Sequence, residues 1–387
     1  MRKLVFFPSD PIAAYIAKGR SYEDLDNYYN PGNFFDEVYC LSPWGNKEYE
    51  TIGKIRYIKA NPLRFKSIIK KINPDVVRGY GGYCCADWIS ISKVSNIPTI
   101  VSVHDTNPAL IHDSLQYADF LLCMSKAVKD AVQAKLPIPD EKIFIFPNRV
   151  DVDVFTRKDD PVYFKQLNTY YGEGKHILHV GRKAKQKNLE TVIHALQYLD
   201  ENVTCVFVGQ GNCQQYIDLA ESLGVGDRCF FKDRVATKEL AYWYSWCDCF
   251  CTPSRWEGFG MVFIEAASCE AAIVTSNIAP MNEFLTNGEN AILVDEYENP
   301  KIVAEAIFRV LEGTEVVQTM KKNARKVGLE FEKNKIDTEE IQLYKNAIKN
   351  KGKGICDKSL RRKMYVNDFY TLIRSKMSKL KKSITKQ

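Results

Sequence analysis

Short apolar runs alternate with longer amphipathic stretches along almost the whole chain, and that alternation leaves few folds open. In the first half the apolar runs fall at residues 3–7, 37–41, 76–78, 99–103, 120–124 and 143–146, with helical stretches around 61–72, 84–94 and 125–134. The second half repeats the pattern, with runs at 177–180, 204–208, 229–232, 249–252, 272–275 and 291–294. Helical stretches there cover 189–199, 214–223, 237–247, 261–269, 279–287 and 301–311. Parallel strands need long crossovers, and helices fill them, so the alternation predicts parallel βαβ units. At 387 residues the chain exceeds one ordinary core. The two arrays therefore predict an α/β protein of two facing Rossmann-like domains with a cleft between them. The expected division is 1–155, 156–345 and a tail over 346–387, with Asp159, Asp160 and Pro161 marking an exposed join. Ligands of open α/β sheets bind at the carboxyl ends of the strands, so a donor and an acceptor would meet in that cleft.

Composition removes several other classes. No apolar run approaches the ~20 residues of a membrane-spanning helix. Residues 1–7 read as a first strand and not as a signal peptide, because Pro8, Ser9 and Asp10 end the run. Twelve cysteines without a signal suggest reduced thiols and a cytoplasmic protein. Cys247, Cys249 and Cys251 alternate as residues on one face of a strand do, and with no adjacent histidine they read as buried small hydrophobes and not as a metal site. Cys84 and Cys85 read as interior packing in the same way. The net charge of +6 is uneven, since residues 349–387 carry thirteen Lys or Arg against two acidic residues. Residues 364–384 space Val366, Phe369, Tyr370, Ile373, Met377, Leu380 and Ile384 as one helical face among basic residues. Such a helix packs on the protein or lies on an anionic membrane surface, which would make the protein peripheral at the membrane's inner face. Basic stretches interleaved with aromatics are missing, so nucleic acid is not an expected partner.

Residues 254–265 read S-R-W-E-G-F-G-M-V-F-I-E, two carboxylates eight positions apart with glycines between them. An apolar run able to start a helix follows at Met261. Glycines at a strand-to-helix turn let backbone approach a ligand, and the first helical N–H groups favour anionic oxygens. Upstream, Gly181 ends a strand and is followed by Arg182 and Lys187 ahead of a helix near Leu189. Two cations past a strand's carboxyl end suit a diphosphate, though a solvated basic loop with Lys175, Lys183 and Lys185 reads the same. Residues 206–211, V-F-V-G-Q-G, place Gly209 at another strand end, and the turn through Val235 offers backbone groups to a base edge.

Taken in order, G-R-x4-K-N (Gly181, Arg182, Lys187, Asn188), V-G-Q-G and P-S-x-x-E-G-F-G-M-x-x-x-E resemble glycosyltransferase family 4. The resemblance implies the GT-B fold and retaining transfer of a sugar from a nucleotide donor, UDP- or GDP-linked, with no cofactor and no bound metal. It further implies that Arg182 and Lys187 hold the donor diphosphate, Glu265 the ribose and Glu257 the transferred sugar. The backbone around Gly258, Phe259, Gly260 and Met261 would meet the sugar and phosphate. In the first domain His104, at the carboxyl end of T-I-V-S-V-H-D, resembles the family's active-site histidine. Arg78 serves the acceptor, a phosphate or the fold. The family's usual territory implies a glycan or lipid-linked acceptor in surface polysaccharide biosynthesis.

Departures are visible as well. The loop after the first strand has only Gly19 where the family often carries a Gly-Gly, and Arg149 stands where N-G-V-D is usual. Two other readings are an NAD-dependent oxidoreductase and a non-catalytic nucleotide-sugar-binding protein. The first lacks a complete G-x-G-x-x-G followed by an acid; the second is disfavoured by the joint presence of Arg182, Lys187, Glu257 and Glu265.

Overall fold

The computed structural model describes residues 1–17, 19–45 and 48–366. Its contacts divide the chain into two compact units. One comprises residues 1–123, 128–145 and 337 onward; the other comprises 124–127 and 146–336.

The first unit is built on one eight-stranded sheet. Its strands are β1 (Lys3–Phe7), β2 (Glu37–Ser42), β3 (Tyr49–Ile52), β4 (Ile55–Lys59), β5 (Val76–Tyr80), β6 (Thr99–Val103), β7 (Phe120–Cys123) and β8 (Ile143–Ile145). They lie in the order β3-β4-β2-β1-β5-β6-β7-β8, parallel except where β3 turns back on β4. The helices are α1 (Ile12–Ala17), α2 (Tyr22–Tyr29), α3 (Phe65–Ile72), α4 (Cys84–Ser92) and α5 (Lys126–Lys135). Ser21 caps α2 through a reciprocal box with Asp24, which satisfies two otherwise orphaned amides. The β3–β4 hairpin was not expected, because Tyr49, Glu50, Thr51 and Ile52 lie at the sheet's edge and carry no buried apolar stripe.

The second unit has β9 (Lys175–Val180), β10 (Val203–Val208), β11 (Cys229–Lys232), β12 (Cys249–Thr252), β13 (Ile273–Ser276) and β14 (Ile292–Val294). They are all parallel, in the order β11-β10-β9-β12-β13-β14. Helices α6 (Pro161–Tyr171), α7 (Leu189–Ala195), α8 (Gln214–Ser222) and α9 (Leu240–Trp246) precede α10 (Met261–Ser268) and α11 (Met281–Phe284). After these come α12 (Pro300–Leu311), α13 (Glu315–Glu330) and α14 (Lys333–Asn350). Side chains alternate between two buried clusters on opposite faces of this sheet. Leu178, Val206, Val208 and Phe250 belong to one; Ile177, Cys205, Phe207, Cys249 and Cys251 belong to the other. Period-2 alternation with both faces apolar is what a parallel sheet covered by helices on each side requires. Cys247 precedes β12 and sits in the opposite cluster from Cys249 and Cys251, so the three cysteines do not share one face. All three thiols are buried, as expected. Cys85 is buried too, while its neighbour Cys84 is only partly so.

Unit boundaries differ from those expected at 155/156 and 345/346. Residues 150–170 hold a regular helix, α6, capped by Asp160 and opened by Pro161. From Asp337 onward α14 belongs with the first unit, where Tyr344 stacks near Phe34 and meets Phe35 edge-on. Contacts over 300 residues of sequence leave no trace in local periodicity. Beyond α14, Gly352, Lys353 and Asp357 bond to Asn96, Asp119 and Ser90 of the same unit. The amphipathic tail helix expected over 364–384 lies, from residue 367, outside the described residues.

Phe263 stands fully buried in α10 against Phe250 of β12, ring centroids 5.7 Å apart, and anchors the helix that Gly260 precedes. Truncating it empties that contact, so Phe263→Ala should cost about 3–5 kcal/mol of unfolding free energy. Urea denaturation checks this; a loss below about 1 kcal/mol would mean that α10 is not held through this ring.

Candidate functional site

Strand order in the second unit creates the site's location. β9 has β10 on one side and β12 on the other, so the connections after β9 and β12 leave in opposite directions and open a crevice between them. The segment that follows β9 is Gly181–Asn188, and the one that follows β12 runs through Ser254 to Gly260. Both sequence motifs therefore sit at one switch point.

Their side chains are joined. The Lys187 ammonium pairs with Glu257 Oε1, and both residues are over nine-tenths buried. Ser254 Oγ donates to the same oxygen at 2.7 Å. Gln186 Nε2 reaches Glu257 Oε2 at 3.4 Å and the Trp256 carbonyl at 2.8 Å, while its Oε1 accepts from Arg182 Nη2 at 2.9 Å. Arg182, Gln186, Glu257 and Lys187 thus form one polar chain running from an exposed guanidinium to a buried ammonium. Asn188 is held in the left-handed region, φ 52°, and its amide donates to the carbonyls of Pro253 and Tyr297.

Gly209 is required at the end of β10. Its φ is 146°, and a Cβ there would stand 1.9 Å from the Gly181 carbonyl oxygen. Lys183, which read as part of a solvated basic loop, is buried, and its ammonium donates to the carbonyls of Gly209 and Lys232. Burial pushes its pKa down from the ordinary lysine value. It staples the loops after β9, β10 and β11 together. Neither Lys183 nor Gln186 stood out in the sequence, since a third lysine and a glutamine in a basic stretch carry no distinguishing pattern.

On the β12 side, Gly260 takes φ 86° before α10, and a Cβ would meet the Phe263 ring at 2.7 Å. The Phe259 ring turns inward to Phe284 and Phe331, which leaves its backbone as the part at the crevice. Gly258 offers its carbonyl to Ser125 Oγ at 2.9 Å. Glu265, half-buried in α10, accepts from Tyr244 Oη at 3.2 Å, a partner on α9 that sequence reasoning missed. Met261 and Val235 pack their side chains partly against the core. The helix expected from residue 237 begins at Leu240.

His104 belongs to the first unit, just beyond β6, with its Nε2 buried and without a hydrogen-bond partner. Burial first, and the Arg78 charge second, lower its pKa to about 4. Arg78 is buried on β5 and paired with Glu340 of α14 at 3.1 Å. Among the described residues no group of three or more His, Cys, Asp or Glu is placed to hold a metal ion.

Three comparisons bear on these features. A model of glycosyl transferases group 1 matches residues 164–327, and one of glycosyltransferase family 4 matches residues 31–154. An uncharacterized glycosyltransferase of Methanocaldococcus jannaschii is 25% identical over 345 residues, covering 79% of this chain and 88% of that one. Among solved structures, a glycosyltransferase from Rickettsia africae superposes with a TM-score of 0.74 at 18% identity, covering 90% of this chain and 99% of that one. HepE of Anabaena, solved in complex with UDP, gives 0.72 at 17%, covering 89% and 100%. The two Rossmann-like units are accordingly those of the GT-B fold. The chain belongs to the group 1 glycosyltransferases of family 4.

Breaking the Lys187–Glu257 pair from one side strands a buried charge. Lys187→Met should cost about 3–5 kcal/mol, and Lys187→Met with Glu257→Met should recover much of that loss. A double-mutant cycle that includes Glu257→Met, read by chemical denaturation, measures the difference; single losses that simply add in the double variant would show that the two charges do not interact.

Proposed function

We propose that the protein is a retaining, metal-independent glycosyltransferase that moves a sugar from a UDP- or GDP-sugar to a glycan or lipid-linked acceptor in surface polysaccharide biosynthesis. The observation that carries this reading is the buried Lys187–Glu257 pair joining the loops after β9 and β12. An ammonium and a carboxylate at one switch point match the two halves of a nucleotide sugar, anionic phosphate and neutral hydroxyls. Arg182 and Lys187 stabilise the diphosphate as it gains charge on leaving, and the amides from Gly258 to Met261 supply oriented N–H dipoles. Glu257 accepts from hydroxyls of the transferred sugar, and Glu265 from the ribose. Gly181 and Gly209 let backbone approach the nucleotide, and the turn at Val235 borders its base. His104 serves the reaction from the first unit, which takes the acceptor. UDP in the Anabaena relative supports a uridine donor as the first to try.

The lipid-linked form of the acceptor draws on the basic segment after Lys349, and a cytoplasmic, membrane-peripheral location goes with it. No helix among the described residues is long and apolar enough to cross a membrane.

Three measurements test the reading. UDP or GDP should raise the melting temperature, since a ligand that binds only the folded state stabilises it. Arg182→Ala should weaken nucleoside-diphosphate binding in calorimetry, and unchanged affinity would remove Arg182 from the diphosphate. Glu257→Gln keeps an acceptor for Lys187 and Ser254 but leaves the buried ammonium without its counter-charge, so the variant should be less stable and, where folded, lose transfer by on the order of 100-fold. Full activity in that folded variant would overturn the assignment of Glu257.

A further inference from the structure

Lys183 is 7% exposed, and its ammonium is spent on backbone. It donates to the Gly209 carbonyl and, at 2.8 Å, to that of Lys232. Burying an ammonium is costly, so what those two carbonyls gain from it calls for an explanation.

The direction of the peptides supplies one. Successive carbonyls of an extended strand alternate between its two neighbours. Beyond β10 that alternation stops. The carbonyls of Val208, Gly209 and Gln210 all turn toward the loop after β9, where they accept from Gly181 N at 2.9 Å, from Lys183 Nζ and from Lys183 N at 2.8 Å. The positive φ at Gly209 permits this, and the loops lie so close that a Cβ on Gly211 would stand 2.8 Å from the Lys183 carbonyl oxygen. A trans peptide sets its C=O and its N–H in opposite directions. The N–H groups of Gly209, Gln210 and Gly211 therefore all point away from the β9 loop. That of Gly209 donates to the Lys232 carbonyl at 3.1 Å. Those of Gln210 and Gly211 have no partner among the described residues. Two neighbouring donors are thus held ready, and the middle carbonyl of the three is fixed by a side chain alone.

We propose that Lys183 is a positioning residue for nucleobase recognition, holding the Gly209 carbonyl so that the Gln210 and Gly211 amides meet a carbonyl oxygen of the donor's base. The inference rests on the nucleotide-sugar reading above. Strand order supplies the place. The loops assigned to the diphosphate follow β9 and β12, while β10 and β11 lie on the far side of β9, about 5 and 10 Å away at ordinary sheet spacing. A nucleoside reaching from the diphosphate across β9 arrives at the turn after β10. Uracil and guanine both present a carbonyl oxygen at one edge, which suits an N–H donor. Neighbouring amides also hold phosphate oxygens, but Arg182 and Lys187 already serve the phosphates at the switch point. Lys183 acts through backbone and not on the substrate, since its ammonium is occupied by the two carbonyls.

Calorimetry on the full chain tests this by comparing UDP with inorganic pyrophosphate, which has no base. If the wild type binds GDP more tightly, GDP takes the place of UDP. Lys183→Met frees the peptide between Gly209 and Gln210, so UDP affinity should fall about tenfold further than pyrophosphate affinity. A role confined to stability would lower the denaturation midpoint and leave the ratio of the two affinities unchanged in folded protein. Lys183→Gln is milder, because its amide can still donate; it replaces Lys183→Met if that variant does not fold, and its ratio should move in the same direction. Equal losses for the two ligands in a folded variant would overturn the proposal and assign the amides to phosphate. No loss for either would overturn it as well. Wild-type protein that binds neither UDP nor GDP would overturn the nucleotide-sugar reading, and the proposal with it.

Discussion

Parallel pairing of β9 with β10 on one side and β12 on the other is the constraint from which the second unit's chemistry follows. Parallel strands send every connection out at the same edge, and a reversal of strand order parts two of those connections. Between the parted loops the Arg255 N–H donates to the Gln186 carbonyl at 2.8 Å, and side chains take over the rest of the hydrogen bonding. Glu257, Lys187, Gln186 and Ser254 do this here. The glycines follow from the same geometry, because Gly209 must pass close to the Gly181 carbonyl for the loops to converge.

Lys187–Glu257 and Arg78–Glu340, two of the buried ion pairs, differ in the company they keep. Lys187–Glu257 joins loops at the rim of a sheet and is tied to Ser254 and Gln186. Arg78–Glu340 lies under a helix, between tyrosine rings. Buried charge pairs are rarely the cheapest way to stabilise a fold, since apolar side chains of similar volume often do as well.

Much of this was legible in the sequence. Alternation of apolar runs located nearly every parallel strand, because those strands are buried on both faces and must read as apolar blocks. Motif order placed Arg182, Lys187, Glu257 and Glu265 on one unit. What stayed hidden was of two kinds. Edge strand β3 and its neighbour β4 lack a strong apolar signature, and α14 joins the first unit through contacts with Phe34, Phe35 and Arg78 far away in the chain. Individual partners such as Gln186, Lys183 and Tyr244 were also invisible, because a hydrogen bond depends on where a side chain arrives and leaves no spacing rule behind.

The buried thiols carry a consequence of their own. Nine of the twelve cysteines are buried and all are unpaired, and burial raises the pKa of Cys249 and Cys251 well beyond reach of the thiolate at neutral pH. Packed sulfur of this kind is inert to oxidants only while the sheet is closed. Each opening of the second unit would bare several thiols at once, all competent to cross-link with neighbouring chains. In air, then, the folded state protects the protein less by its depth of stability than by the rarity with which it opens, and its working lifetime becomes a kinetic quantity set by redox surroundings.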